Sequence, residues 1–219
     1  MSLISVALPF STQAHFESTL LQFIESPLVE RIFVIHSGQY SGRHDKCEGF
    51  LSHTLTAGTT LNTILGKITS DYFLFITQSQ EIQLGQAALE RFVGIAQQTS
   101  SGMCYSDFFE IKKGVRSERP VIDCQFGSVR DTFEFGALLF FSMAAVRAAL
   151  KKCGDLAAVD VAGLYDLRLK VSVDHSLFHV QEYLYTKVES DLRLTGEKLF
   201  DYVDPRNQAV QKELEAVVA

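Results

Sequence analysis

The sequence predicts an α/β fold with a mostly parallel central sheet, and three observations predict it. Leu61, Ile64, Leu65 and Ile68 recur at i, i+3, i+4 and i+7, the spacing of an amphipathic helix. Directly after them, Tyr72-Phe73-Leu74-Phe75-Ile76 is an unbroken apolar run, too short for a helix and rich in aromatic residues. Such a run reads as a strand buried on both faces, as in the middle of an α/β sheet. Finally, the chain up to Gln98 reads β-α-β-β-α-β-α, an alternation that calls for right-handed crossovers between parallel strands. The apolar run stops at a polar patch, Thr77-Gln78-Ser79-Gln80-Glu81. Ligands of open α/β sheets sit beyond the carboxyl ends of the strands, so a binding site is expected at this patch.

The elements follow in order. Leu3 to Phe10 is a first buried strand closed by Pro9. Ser11 or Thr12 caps a helix whose apolar face is Phe16, Leu20, Phe23 and Ile24. Arg31 to Ile35 is the second strand, ending at His36-Ser37-Gly38, and residues 37–48 form a polar loop. Gly49 to His53 is a short third strand, and Thr59 or Thr60 caps the helix that precedes Tyr72. A further helix, about Gln83 to Gln98, turns Ala88, Leu89, Phe92, Val93 and Ala96 inward. There the alternation ends. Gly102 to Ile111 reads as a strand, Lys112-Lys113-Gly114 as a turn, and residues 115–132 as a long irregular loop. Phe133 to Phe141 is a strand, Ser142 caps a helix stopped at Gly154, and Asp160 caps another through Val171. Ser176 to Val188 is extended, and Asp204-Pro205 opens a last helix.

Composition bounds the function. At 219 residues the chain suits one generous domain, with 47% apolar and 21% charged residues. A formal charge of −6 without any Lys/Arg cluster argues against a nucleic-acid partner. No apolar run is long enough to cross a bilayer, and no secretory signal opens the chain, so a cytoplasmic setting is expected. Cys47, Cys104, Cys124 and Cys153 are too widely spaced for a Cys-x-x-Cys metal site and are expected as free buried thiols.

Residues 3 to 190 resemble the family 2 glycosyltransferases. The resemblance runs through Ile4 to Phe10, Thr60 to Ile64, Ser70 to Ile76, Tyr105-Ser106-Asp107 and Tyr165 to Leu169. It implies a GT-A-like three-layer sandwich. The nucleotide-sugar-binding half would take residues 1–100 and the acceptor half 101–190. Residues 191–219 would be a C-terminal extension, with room for a further domain beyond. The implied partners are a nucleotide sugar and a glycan or lipid-linked acceptor, and the implied cofactor is Mg²⁺ or Mn²⁺. On the donor side the resemblance picks out Pro9, His36, Asn62, Thr77, Ser79, Glu81 and Asp107, and on the acceptor side Asp166 as general base.

The chain departs from that pattern at its acidic positions. Thr77-Gln78-Ser79 stands where the family has Asp-x-Asp, and His36-Ser37 where it has an aspartate for the base; Asp166 falls one or two residues late. Neutral hydroxyls do not offset the cost of dehydrating Mg²⁺, so little gain from metal is expected. Glu81 is the nearest carboxylate and can hold a metal alone; 77–81 also reads as a plain strand-to-helix loop. Arg130-Asp131-Thr132-Phe133-Glu134-Phe135-Gly136 suits a sugar site, with Asp131 and Glu134 as catalytic carboxylates and Arg130 and Phe133 binding the acceptor. An ordinary Arg130–Asp131 ion pair and two core phenylalanines explain the same residues. Two rivals stand beside the enzyme reading. One is an inactive docking domain of this fold. The other is a nucleotidyltransferase, which would want a glycine-rich, basic loop after the first strand, and Pro9 to Gln13 has none.

Overall fold

The computed structural model describes residues 3–11, 14–38, 40, 42, 44–52, 54–128, 131, 133–189 and 205–218, with the side chains of 14 and 205–208 excepted. In chain order the elements are β1 (Ile4–Pro9), α1 (Ala14–Glu25), β2 (Val29–His36), β3 (Cys47–Leu51), α2 (Gly58–Lys67), β4 (Tyr72–Ile76), β5 (Glu81–Leu84) and α3 (Ala88–Thr99). They continue with β6 (Met103–Lys112), β7 (Val115–Arg119), β8 (Leu138–Ser142), α4 (Met143–Cys153), α5 (Gly163–Ser172), β9 (Leu177–Val188) and α6 (Pro205–Val218).

One sheet runs β3-β2-β1-β4-β8-β6-β9-β5, with β7 hanging from β6. Strands β1 to β4 are mutually parallel, while β8 lies antiparallel between β4 and β6 and so turns β6 and β9 back into the common direction. The carboxyl ends of β1, β2, β4, β6 and β9 therefore open on one side of the molecule.

Strand alternation builds two cores. Ile4, Val6 and Leu8 of β1 and Tyr72, Leu74 and Ile76 of β4 pack under α1 and α3. Phe73 and Phe75 face the other way, with Phe33, onto α2, α4 and α5. The result is three layers, as expected. Phe140 stacks between Tyr72 (centroids 5.0 Å apart) and Phe92 (5.3 Å), tying β4, β8 and α3 with offset rings. Two helices meet without side chains between them. A Cβ on Gly58 would lie 1.9 Å from the carbonyl oxygen of Ala157, and one on Gly163 would lie 2.5 Å from the Gly58 backbone. Only glycine permits that approach of α2 to α5.

Several local expectations are corrected. The third strand lies earlier, at Cys47–Leu51. Gln83 does not start a helix: Glu81-Ile82-Gln83-Leu84 has the period of a strand, with Ile82 buried and Gln83 exposed, and α3 begins only after Ala87 takes φ 54°. The stretch 115–132 is not wholly irregular, because Lys113 and Gly114 both take positive φ (50° and 77°) and turn β6 into β7. That is the two-residue turn that fits strand twist. Gly136, at φ 78°, makes the strand begin at Leu138, not Phe133.

Ser142 does cap α4, accepting the amide of Ala145. Thr59 and Thr60 do not cap α2, whose N-cap is Ala57, and Thr60 instead donates to Ser52 Oγ. The start of α5 is held by Glu213 of α6, whose carboxylate accepts the amides of Val161 and Ala162; Asp160 offers its carbonyl to Thr54. All four cysteines are free, but only Cys104 is buried. Among the described residues, no helix is long and apolar enough to cross a membrane.

Candidate functional site

A crevice of about 640 Å³ lies where the parallel strands end. Pro9 enters it from β1, Thr77 to Gln80 from the turn after β4, Glu110 and Lys112 from β6, and Lys187 and Glu189 from the end of β9. This is the position the sheet topology assigns to a ligand, between β1 and β4, where connections leave in opposite directions.

The floor is fixed by backbone pairing. Thr77 donates its amide to the Ala137 carbonyl at 3.0 Å, and His15 Nε2 lies 3.0 Å from the Ser79 carbonyl. Ala137 donates in turn to the buried hydroxyl of Tyr185 at 2.6 Å, and a Cβ on Gly136 would come within 2.3 Å of that hydroxyl. The turn beside Thr77 is thus packed against β9 and held from both sides. Gln80 leaves a buried amide oxygen without a hydrogen-bond partner.

The wall is a charge cluster. Glu110, 4% exposed, meets Lys187 Nζ at 3.0 Å, Arg119 at 2.6 Å and Lys112 Nζ at 3.3 Å. Burial alone would raise its carboxyl pKa; hydrogen bonds from Lys187 and Arg119 outweigh that and hold it at about 2. Two of these cations, Lys112 and Lys187, line the crevice beside the carboxylate that holds them. Glu189, exposed, is the other carboxylate in the lining.

Of the donor-side candidates, Pro9, Thr77 and Ser79 are in the crevice. His36 ends β2 beside β1, its ring 5.8 Å from Tyr40, which packs on Phe10. Asn62 is not at the site: its amide donates to the Leu156 carbonyl and accepts the Leu156 amide, both near 3.0 Å, pinning α2 to the end of α4. Glu81 turns to α1, accepting from Ser18 and from Gln83, so it does not face the crevice. Asp107 is buried away from it as well, accepting the Val121 amide and pairing with His179, whose other ring nitrogen meets Asp123. These three residues strap the 121–124 segment to the sheet, with Tyr105 stacked on His179.

On the acceptor side Asp166 is corrected most clearly. It is 4% exposed, accepts the Ala157 amide at 2.8 Å and pairs with Lys170 at 2.9 Å, so it holds the α4–α5 connection rather than facing a hydroxyl. Phe133 packs on Phe135 (4.4 Å) and against Tyr105, a core role. Glu134 and Asp131 are exposed. Glu134 accepts the Gly136 amide at 2.7 Å, and the Gly136 carbonyl accepts from the Thr77 hydroxyl. Asp131 lies within charge range of Tyr165 and the buried Arg168. Arg130 lies outside the described residues.

Lys112, Lys187 and Glu110, absent from the sequence-predicted candidates, carry no local sequence signal of a site. A second cleft, about 580 Å³ between α3 and the edge of β9, is crossed by the Arg91–Glu182 ion pair and holds none of the donor or acceptor candidates.

Neither a protein-family model nor a curated protein sequence matches the chain. Its structure is similar to that of S. aureus TarS 1–349 in complex with UDP-GlcNAc, with TM-score 0.65 at 11% identity over 99% of this chain and 66% of that one. Against S. aureus TarS 1–349 the TM-score is 0.59 at 11% identity, over 85% and 60%. The Francisella tularensis 2-C-methyl-D-erythritol 4-phosphate cytidylyltransferase IspD matches at 0.52 and 11%, over 97% and 99%. The chain spans about 60% of the length of the first of the TarS structures. The fold is GT-A-like, a mixed α/β sandwich on a curled, mostly parallel sheet.

Proposed function

We propose that the chain is a nucleotide-sugar-dependent glycosyltransferase that binds its donor in the crevice at the strand ends. The observation that carries this is the meeting of two lysines, Lys112 and Lys187, with the polar turn 77–80 at the ligand position of a GT-A-like sheet. The TarS likeness supports the substrate class, since one of those structures holds UDP-GlcNAc.

In the reaction, the bond from the sugar's anomeric carbon to the β-phosphate oxygen breaks, its electrons staying on the diphosphate. A glycan or lipid-linked hydroxyl forms the new bond and gives its proton to a carboxylate. With Asp166 committed to Lys170 and Ala157, that role passes to Glu134, and Asp131 orients sugar hydroxyls. Calorimetric titration with UDP, GDP and UDP-GlcNAc tests the donor class. Glu134→Gln tests the base, with an expected loss of about 10²- to 10⁴-fold in transfer or donor hydrolysis at unchanged melting temperature. The tied-down Asp166 favours one second reading, a docking domain that binds the nucleotide sugar without turning it over.

A further inference from the structure

The resemblance to sugar transferases of this fold asks for a divalent ion at the end of β4, and the donor set there does not fit one. Thr77 and Ser79 offer neutral oxygens, which do not compensate a hard cation for its lost water. Glu81 faces Ser18 and Gln83 instead. Among the described residues, no group of three His, Cys, Asp or Glu side chains is placed to hold a metal ion. The buried carboxylate of the crevice, Glu110, has both oxygens engaged: Oε1 by Lys187 and Oε2 by Arg119 and Lys112. A metal entering there would have to displace three cations.

We propose that the crevice binds a nucleoside diphosphate without a divalent ion, with Lys187 and Lys112 neutralising the diphosphate and Glu110 holding them in place until it arrives. This rests on the sugar-nucleotide reading of the same crevice. Lys187 is the main contributor because its side chain is 15% exposed, against 48% for Lys112, and a poorly solvated ammonium interacts more strongly with phosphate. Glu110 and Lys187 are register partners on β6 and β9, so the ammonium is delivered by strand backbone and not by a loop.

The exchange is inexpensive for a physical reason. When the lysines turn to phosphate oxygens, Glu110 keeps Arg119, which donates from Nε at 2.8 Å and stands 2.6 Å away at a terminal nitrogen. The buried carboxylate is never left uncompensated, the situation that makes breaking a buried pair costly.

The test is calorimetry of UDP and GDP with wild type, Lys187→Gln, Lys187→Arg and Lys112→Gln, each in EDTA and in Mn²⁺. The expected result is wild-type affinity in EDTA within about twofold of that in Mn²⁺. Lys187→Gln should bind at least about tenfold more weakly in both, Lys112→Gln less so, and Lys187→Arg should stay near wild type. A second readout needs no variant: wild-type affinity in EDTA should fall steadily with added KCl. Binding that requires Mn²⁺ overturns the metal-free inference and leaves the nucleotide reading standing. Metal-free binding that ignores both lysine substitutions and salt overturns the assigned role. No binding of either nucleotide in either buffer overturns this inference and the nucleotide reading together.

Discussion

Glu110 and Lys187 face each other on adjacent parallel strands, with 3.0 Å between Oε1 and Nζ, and their pair forms one wall of the strand-end crevice. Arg119 reaches the same carboxylate from β7 and Lys112 from the end of β6, so three strands, β6, β7 and β9, converge on one buried charge.

That convergence predicts a pH dependence. The Glu110 carboxyl is held near 2, below the ordinary 4.5, so its ionised form stabilises the fold. A depressed folded value means that the stabilisation is complete above the unfolded value and is lost as pH falls through the folded one. Wild type should therefore lose melting temperature faster between about pH 4.5 and pH 2 than Glu110→Gln does. The difference has a ceiling of about 3 kcal/mol, less for the half-exposed Arg119 and Lys112. Parallel melting curves of the two proteins through that window would show that the cluster contributes no such linkage.

Asp166 should behave as a structural residue. Asp166→Ala removes the acceptor for the Ala157 amide and the partner of Lys170, a loss of about 1–3 kcal/mol. Lys170→Met should recover part of that loss in the double variant, because it removes an ammonium left with the Asp155 carbonyl but no countercharge from Asp166. A variant that melts like wild type yet loses sugar transfer would restore Asp166 as the base.

The α2–α5 approach gives a paired prediction. Gly58→Ala must push the Ala157 carbonyl aside and should destabilise by about 3 kcal/mol or prevent folding. Gly94→Ala, where an added Cβ meets nothing within 4 Å in the middle of α3, should stabilise by about 0.5–1 kcal/mol. Thermal denaturation of the two variants side by side checks both signs, and equal effects would contradict the close contact.

Much of the fold was legible because it is written in short-range periodicity. Tyr72 to Ile76, with Leu61, Ile64 and Leu65 before it, identifies a central buried strand and its helix without reference to any partner. The place of Thr77 and Ser79 in the crevice follows from the end of that strand, and that of Pro9 from the resemblance of the first strand. The crevice's charged wall does not. Glu110 and Lys187 lie far apart in sequence and meet because β6 pairs in parallel with β9; their strand ends reach the crevice because the antiparallel β8 sits between β4 and β6 and reverses the direction once more. No local pattern encodes that insertion. Asn62 and Asp166 were misplaced for a related reason: each side chain satisfies a backbone amide, of Leu156 and Ala157 respectively. A polar residue that serves the backbone looks, in sequence, the same as one that serves a ligand. The strand Glu81 to Leu84 was readable from its two-residue alternation, which the stronger helical pattern after Ala88 masked.

The most direct measurement of the central claim is a crystal structure grown with UDP in EDTA. Density for the diphosphate is expected in the crevice, against the 77–80 turn and within hydrogen-bond reach of Lys187 Nζ, with Glu110 still paired to Arg119. Density in the Arg91–Glu182 cleft, or a diphosphate in the crevice that leaves Lys187 on Glu110, would contradict it.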